Sequence, residues 1–383
     1  MGSVRVQTAT SFASGSLHTE VISDLAGLAA IEADWQDLLL RTPLATSYAS
    51  PAWVLTWLRH FEHKHGVHAV AVRRDGELVG LAPFAQSRFG AGRLGYRLLV
   101  SAGTEHGDYG EPLLGTDPVP VAEAIAEHLS QLVHRGNVAV NLRRLDDGGA
   151  MLPAIEKRDD VVRQPMGEVA HAAIVDFAPL DDPNAYLDRL ARGHDIPRRM
   201  RRLGERSESL VYDSRDADVE GTLDDMRDML RGRWEPGTGP RLFHTPALER
   251  FTREVIRAMV DSDVAHVSSL KADGKRIAIT NVFRVADRYM SDAVSHDPDP
   301  ELARYGLGQA ELYEMLRTSF AEGAGQVDMR AGDFPYKRKW ANADRITRSL
   351  VVVAPGKLGE LALNERRVAM SLRARRLRRW ERR

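Results

Sequence analysis

The chain has 383 residues, 43% hydrophobic and 28% charged, with no cysteine. That composition excludes wholesale disorder and collagen-like repeats, and at about 100–200 residues per domain the length predicts two or three domains with real cores. The missing cysteines exclude a disulfide scaffold, a thiol nucleophile and any cysteine-based zinc or iron–sulfur site, while the net charge of −1 hides a +7 segment at residues 356–383 set against −8 elsewhere.

Residues 1–16 are small and polar, with no apolar run fit for a signal peptide, and are expected to be disordered. No stretch approaches 18 consecutive apolar residues, so a membrane span is not expected and the cytoplasm is the default location. Ala52–Phe61 reads as a helix. Two apolar runs joined by Asp75-Gly76 follow, and that dipeptide suits the positive φ angles of a tight hairpin. Arg97–Ala102 reads as a third strand, Val119–Val133 as a helix and Asn137–Arg143 as a further strand. Between the third strand and that helix lies an acidic loop, Gly103-Thr-Glu105-His106-Gly-Asp108-Tyr109. The histidines near its helix, His60, His63, His65 and His68, lack metal-ligand spacing, and a solvated helix end is the simpler reading.

A boundary falls near Pro179–Pro183. Arg189–Arg206 carries seven arginines against two acids and contains Pro197 and Gly204, which predicts a short broken helix. The earlier pattern then returns: a helix at Pro246–Val260, an Asp273-Gly274 hairpin, a strand at Arg288–Val294, a helix from Gly308 to Glu322 and a strand at Gln326–Arg330. The order helix, three strands, helix, strand occurs twice, which points to duplication of a mixed α/β unit. In the second copy Arg304, Gly306, Leu307, Gly308 and Gln309 open the helix. A helix start offers unpaired N–H groups and a dipole that attract phosphate, and glycine allows close approach. This is neither a Walker loop nor a dinucleotide fingerprint. Strict alternation along the preceding strand places Tyr289, Ser291, Ala293 and Ser295 on one face, and Met290, Asp292, Val294 and His296 on the other. Leu358–Trp380 reads as a basic helix with a narrow apolar stripe.

The repeated order resembles the GNAT acyltransferase fold. The run from Asp328 through Gly332, Tyr336 and Lys337 to Trp340 resembles the late signature of CelD/BcsL-type GNAT acyltransferases, relatives of the FemXAB peptidyltransferases. Trp35, Ser50-Pro51-Ala-Trp53, Trp57, Gly80–Pro83, Gly103, Asp108-Tyr109, Arg198–Arg202 and Arg233-Trp234 extend that likeness over Trp35–Val353. Ala303 stands where the usual GNAT loop carries Gln or Arg. The resemblance implies an α/β (α+β) protein of tandem GNAT-like domains, each a mixed, mostly antiparallel sheet flanked by helices, followed by the basic C-terminal helix. The expected bounds are 17–178, a half degenerate for donor binding; 179–355, the half holding the donor; and 356–383, the helix.

The activity so implied is N-acyl transfer from a phosphopantetheine thioester, acyl-CoA or acyl carrier protein, to an amine by direct attack, with no metal. Asp292, His296 and Asp328 are the candidate bases, and the resemblance gives most weight to Tyr336 and Lys337. Arg304, Gly306, Leu307, Gly308 and Gln309 are expected to hold the donor. Glu105, His106, Asp108, Tyr109, Trp234 and Tyr289 are expected around the acceptor, Tyr289 alternatively protonating the leaving thiolate. The cationic tail could dock an acidic carrier protein. Two other readings remain: a FemXAB-like transferase fed by aminoacyl-tRNA, its arginine clusters holding RNA phosphates, and a non-catalytic interaction module.

Overall fold

The computed structural model describes residues 5–10, 16–61, 66–89, 95–233, 241–332 and 334–356. The expected basic helix at 356–383 lies, but for its first residue, outside them. The chain divides into two compact units: residues 1–170 with 346–383, and residues 171–345.

Unit 1 begins with strands β1 (Arg5–Thr10) and β2 (Leu17–Ile22), which pair antiparallel. The first of these falls in the segment read from sequence as disordered. Three helices follow, α1 (Leu25–Ala30), α2 (Glu32–Arg41) and α3 (Pro51–Phe61). Asp24 caps α1, its carboxylate accepting the Gly27 N–H at 2.7 Å. Strands β3 (Gly66–Arg74) and β4 (Glu77–Phe89) form the first Asp-Gly hairpin, with Asp75 and Gly76 at φ 51° and 88°. β5 (Tyr96–Ser101) pairs antiparallel with β4. Helix α4 (Pro118–Arg135) then crosses to β6 (Val138–Asp146), which runs parallel to β5. Helix α5 (Met151–Glu156) and strand β7 (Val162–Pro165) complete this stretch. The α4 residues Val121, Ile125 and Leu129 pack with Val70, Val72, Val140 and Leu142 in the unit 1 core.

Unit 2 repeats that plan. It contains strand β8 (Ala170–Asp176), helices α6 (Pro183–Gly193) and α7 (Ile196–Gly204), strand β9 (Leu210–Asp213), and helices α8 (Val219–Arg233) and α9 (Pro246–Asp261). The break between α6 and α7 at His194-Asp195 is the one expected in the arginine-rich stretch. Strands β10 (Ala265–Ala272) and β11 (Lys275–Val285) form the second Asp-Gly hairpin, followed by β12 (Arg288–His296). Helices α10 (Pro300–Ala303) and α11 (Leu307–Ala321) lead to β13 (Gln326–Ala331), parallel to β12. Helix α12 (Pro335–Trp340) precedes β14 (Ala343–Val353), whose later residues pair with β6 and β7 in unit 1.

The strand order is β9-β10-β11-β12-β13-β8 in unit 2, and β2-β3-β4-β5-β6-β14 in unit 1 with β1 added at the edge. In each, two antiparallel pairings after the hairpin's first strand lead to one parallel pairing, and an antiparallel strand then flanks the parallel one. This duplicated mixed sheet with its helices is a tandem GNAT fold. In unit 2, α11 lies against the sheet with α6 and α7, and α8 and α9 pack on strands β10 to β12. Trp340 is fully buried in that core, and truncating such a residue typically costs about 3–5 kcal/mol.

Candidate active site

β12 and β13 pair only from Arg288 with Gln326 to Met290 with Asp328. Beyond that point they continue without a shared ladder. A bulge in β12 marks the divergence: Thr280 of β11 faces Val294, Val282 faces Ser291, and Asp292 and Ala293 therefore stand against Asn281 alone. Directly opposed residues point to the same side of an antiparallel pair. Tyr289, Ser291, Val294 and His296 accordingly share a face. Strict alternation had separated Tyr289 and Ser291 from Val294 and His296; the extra residue reverses the phase and brings His296 against α11.

A network fixes the opening. Arg330 sits at φ 66°, within a bulge of β13 against β8. Asp328 Oδ1 accepts the Arg330 N–H at 2.6 Å, and Oδ2 accepts from Arg345 Nη1 at 3.1 Å. Both Asp328 and Arg345 are buried. The Arg330 guanidinium reaches back to β12, donating to the Asp292 carbonyl at 2.7 Å and pairing with its carboxylate. Lys337 is buried, and its Nζ donates to the carbonyls of Arg330 and Ala331 at 3.1 and 3.4 Å. Asp292 and Asp328, expected as bases, and Lys337, weighted by the resemblance, are thus joined through Arg330 and engaged in holding the splayed strands. Tyr336 is 41% exposed and stacks on exposed Phe334 at 6.1 Å. Surrounding protein raises its hydroxyl pKa, against lowering by Arg233 and Arg330.

His296 stands apart from this network. Its Nδ1 lies 3.2 Å from the Asp297 carbonyl, a bond that requires Nδ1 to carry the proton and leaves the Nε2 lone pair open. Burial lowers its pKa below the usual value, so the ring is neutral at pH 7. A Cβ added at Gly308 would lie 3.3 Å from the His296 ring, which places the imidazole against the start of α11.

That helix start is open to an anion. Gly306 caps it at φ 65° without a side-chain cap bond, and the first turn holds no acid. The N–H groups of Leu307 and Gly308 have no intrahelical acceptor. A Cβ at Gly306 would meet Arg199 Nη1 at 2.8 Å, so the α7 arginine lies over the same turn. Arg304 is exposed and folds over the Tyr305 ring. Leu307 is buried in the core, and the Gln309 side chain accepts from Trp340 Nε1 at 2.9 Å. Of these two expected donor contacts, Leu307 offers backbone only, and the Gln309 carbonyl oxygen is already taken. Tyr289 is not brought here: its hydroxyl donates to Glu322 at the far end of α11. Trp234 lies outside the described residues.

At the corresponding place in unit 1 the chemistry is opposite. α4 starts Pro118-Val119-Pro120 behind Asp117, so two of its first three residues have no N–H. The preceding loop packs on aromatics: His106 Nδ1 accepts from Trp57 Nε1 at 2.9 Å, and the ring stacks on Phe61 at 5.0 Å. Tyr109 is buried beside Tyr48, Glu105 is exposed and Asp108 is half-buried. Among the described residues no group of three or more His, Asp or Glu could hold a metal ion, and no helix is long and apolar enough to cross a membrane.

Residues 191–338 match the family described as acetyltransferase (GNAT) domain. No curated protein matches the sequence. Among solved structures, FemX superposes with a TM-score of 0.56 at 9% identity, covering 85% of this chain and 96% of that one. A conserved protein of unknown function from Bacteroides thetaiotaomicron gives 0.51 at 11% identity, covering 85% and 97%. The C-terminal DUF2156 domain of a protein described as a lysylphosphatidylglycerol synthetase of Agrobacterium fabrum gives 0.50 at 14%, covering 89% and 96%. The GNAT match and the tandem GNAT fold support an acyltransferase.

Sequence reasoning passed over Arg199, Arg330, Arg345 and Glu311. Arg199 belonged to a basic run noticed only as a whole. Arg330 carried one signal: it follows Asp328 by two residues, the spacing at which an Asp side chain bonds a backbone N–H. Glu311 is fully buried in α11, taking a 2.7 Å hydrogen bond from Ser268, and burial pushes its pKa up to about 8.

Proposed function

We propose that the protein is an N-acyltransferase of the CelD/BcsL type, moving an acyl group from a phosphopantetheine thioester to an amine by direct attack. The observation that carries this is the start of α11, where glycine-flanked N–H groups, Arg199 and neutral His296 meet beside the splayed strands. The cradle fits a pyrophosphate, because a side chain at Gly306 or Gly308 would fill it. His296 Nε2 takes the proton from the attacking amine as the C–N bond forms and the C–S bond breaks, and the thiolate leaves with a proton taken from the resulting imidazolium or from solvent. Arg330, Asp292, Asp328 and Lys337 keep the strands apart so that the thioester can lie between them. Unit 2 supplies the donor site. Unit 1, with its acidic loop Glu105–Tyr109 and donor-poor helix start, serves the acceptor. The tail at 356–383 is assigned to docking an acidic carrier protein.

Isothermal titration with CoA, followed by transfer assays from acyl-CoA and acyl carrier protein to a panel of amines, tests the reading. Binding of CoA that weakens in Arg199→Ala is expected. Absence of both CoA binding and thioester-dependent transfer overturns it. Ribonuclease-sensitive transfer from aminoacyl-tRNA would replace it with the FemXAB-like alternative.

A further inference from the structure

Unit 1 contains a cavity of about 490 Å³, a size typical of small-molecule sites. It lies between the start of α4, helix α5 and the chain around Pro43 and Pro112. Its lining is mostly apolar and holds no aromatic ring. Its polar members are already satisfied. Thr42 Oγ1 donates to the Leu38 carbonyl at 2.8 Å and accepts the Gly115 N–H at 3.2 Å. The Glu111 carboxylate accepts the N–H groups of Asp146 and Met151 at 3.0 and 3.4 Å. Lys157 and Glu123 pair with each other at 3.1 Å. Prolines 43, 112, 118 and 153 lie in the wall, and proline offers no N–H. The Lys157–Glu123 pair is solvent-exposed, which leaves the rest of the lining without a charge to reward a polar ligand apart from the already bonded Glu111, and nothing in it stacks on an aromatic one.

We propose that this cavity binds an aliphatic chain, its apolar body enclosed and its head left at the mouth beside half-exposed Val119. The inference concerns unit 1 alone and stands whether or not unit 2 transfers acyl groups.

Titration of the full chain with hexanol, octanol and decanol, and with decanoate and decylammonium, tests it. Full burial predicts an affinity gain of about fourfold per methylene, with the three ten-carbon heads differing by less than about tenfold, since the charges at the mouth, Lys157 and Glu123, are paired and solvent-exposed. Val119→Asp, at an exposed position that folding tolerates, is expected to weaken decanol binding at least about tenfold by charging the mouth. Ala154→Phe fills the space from inside and is expected to act likewise, its fold checked by circular dichroism. His296→Ala keeps chain binding intact. Affinity that does not depend on chain length, no binding at all, or Val119→Asp binding like the natural chain overturns the proposal.

Discussion

Glu311→Gln should remove a pH dependence from the stability of unit 2. The Glu311 carboxyl is fully buried, with burial the largest cause of a pKa pushed up to about 8 from an ordinary 4.5. The Ser268 hydrogen bond offsets this in part, while the Glu314 carboxylate adds to it. Below pH 4.5 both folded and unfolded chains hold the proton. As pH rises from 4.5 to 8 the unfolded chain releases it and the folded chain does not, so stability falls with rising pH. Each pH unit in that window is worth about 1.4 kcal/mol, which makes the loss between pH 5.5 and 8 about 3 kcal/mol. Glutamine keeps the size and the Ser268 contact but does not titrate. The variant should therefore gain about 3 kcal/mol on the natural chain across that interval, or roughly 6–12 °C in Tm at 2–4 °C per kcal/mol. Urea or thermal unfolding followed by circular dichroism, at half-unit steps of pH, gives the difference curve. Buried histidines titrate in both proteins and cancel. A difference curve flat to within about 0.5 kcal/mol would refute a buried neutral acid.

His296→Ala should lower kcat by about 10²–10⁴-fold with little change in KM. Because burial depresses the His296 pKa, kcat/KM of the natural chain should hold down through pH 6.5 and fall only in more acid buffer; loss of activity centred at or above pH 6.5 counts against this base. Arg199→Ala should weaken CoA binding about tenfold or more through a lost charge-assisted contact, with kcat at saturating donor largely kept. Arg345→Met strands the buried Asp328 carboxylate and should cost about 3–5 kcal/mol in urea unfolding, while adding Asp328→Asn should restore much of it.

The two Asp-Gly hairpins were legible because Asp75-Gly76 and Asp273-Gly274 meet a local demand for positive φ, which a few residues suffice to state. The broken helix at Arg189–Arg206 was legible for a similar reason, from proline and glycine chemistry. β14 was not: its partners on β6 lie some 200 residues earlier, and pairing over that distance leaves no local mark. The phase of β12 was misread because a bulge adds a residue without changing composition. Glu311 was missed because an acid beside the apolar stripe of α11 reads as solvent-facing. Only the Ser268 hydroxyl, on a strand 43 residues upstream, bonds the carboxyl, and nothing local in the sequence marks that partner.

The duplicated scaffold explains how one fold can present two chemically opposite helix starts. α4 and α11 follow the same strand in their units and cross to the same parallel strand, so backbone topology gives both the same chance of an anion site. Local residues decide. At α4, Asp117 and two prolines place a negative charge where the N–H groups should be and delete donors outright. At α11, glycines leave the N–H groups accessible, Arg199 covers the turn, no acid enters it, and the nearest acid along the helix, Glu311, is kept protonated by burial. A charged Glu311 would lie within about 8 Å of helix axis from the cap, five residues at 1.5 Å each, close enough to oppose a bound phosphate in a low-dielectric core. A neutral carboxyl leaves the proposed anion site unopposed without removing the residue, and it would tie the electrostatics of that site to the packing of the helix beneath it.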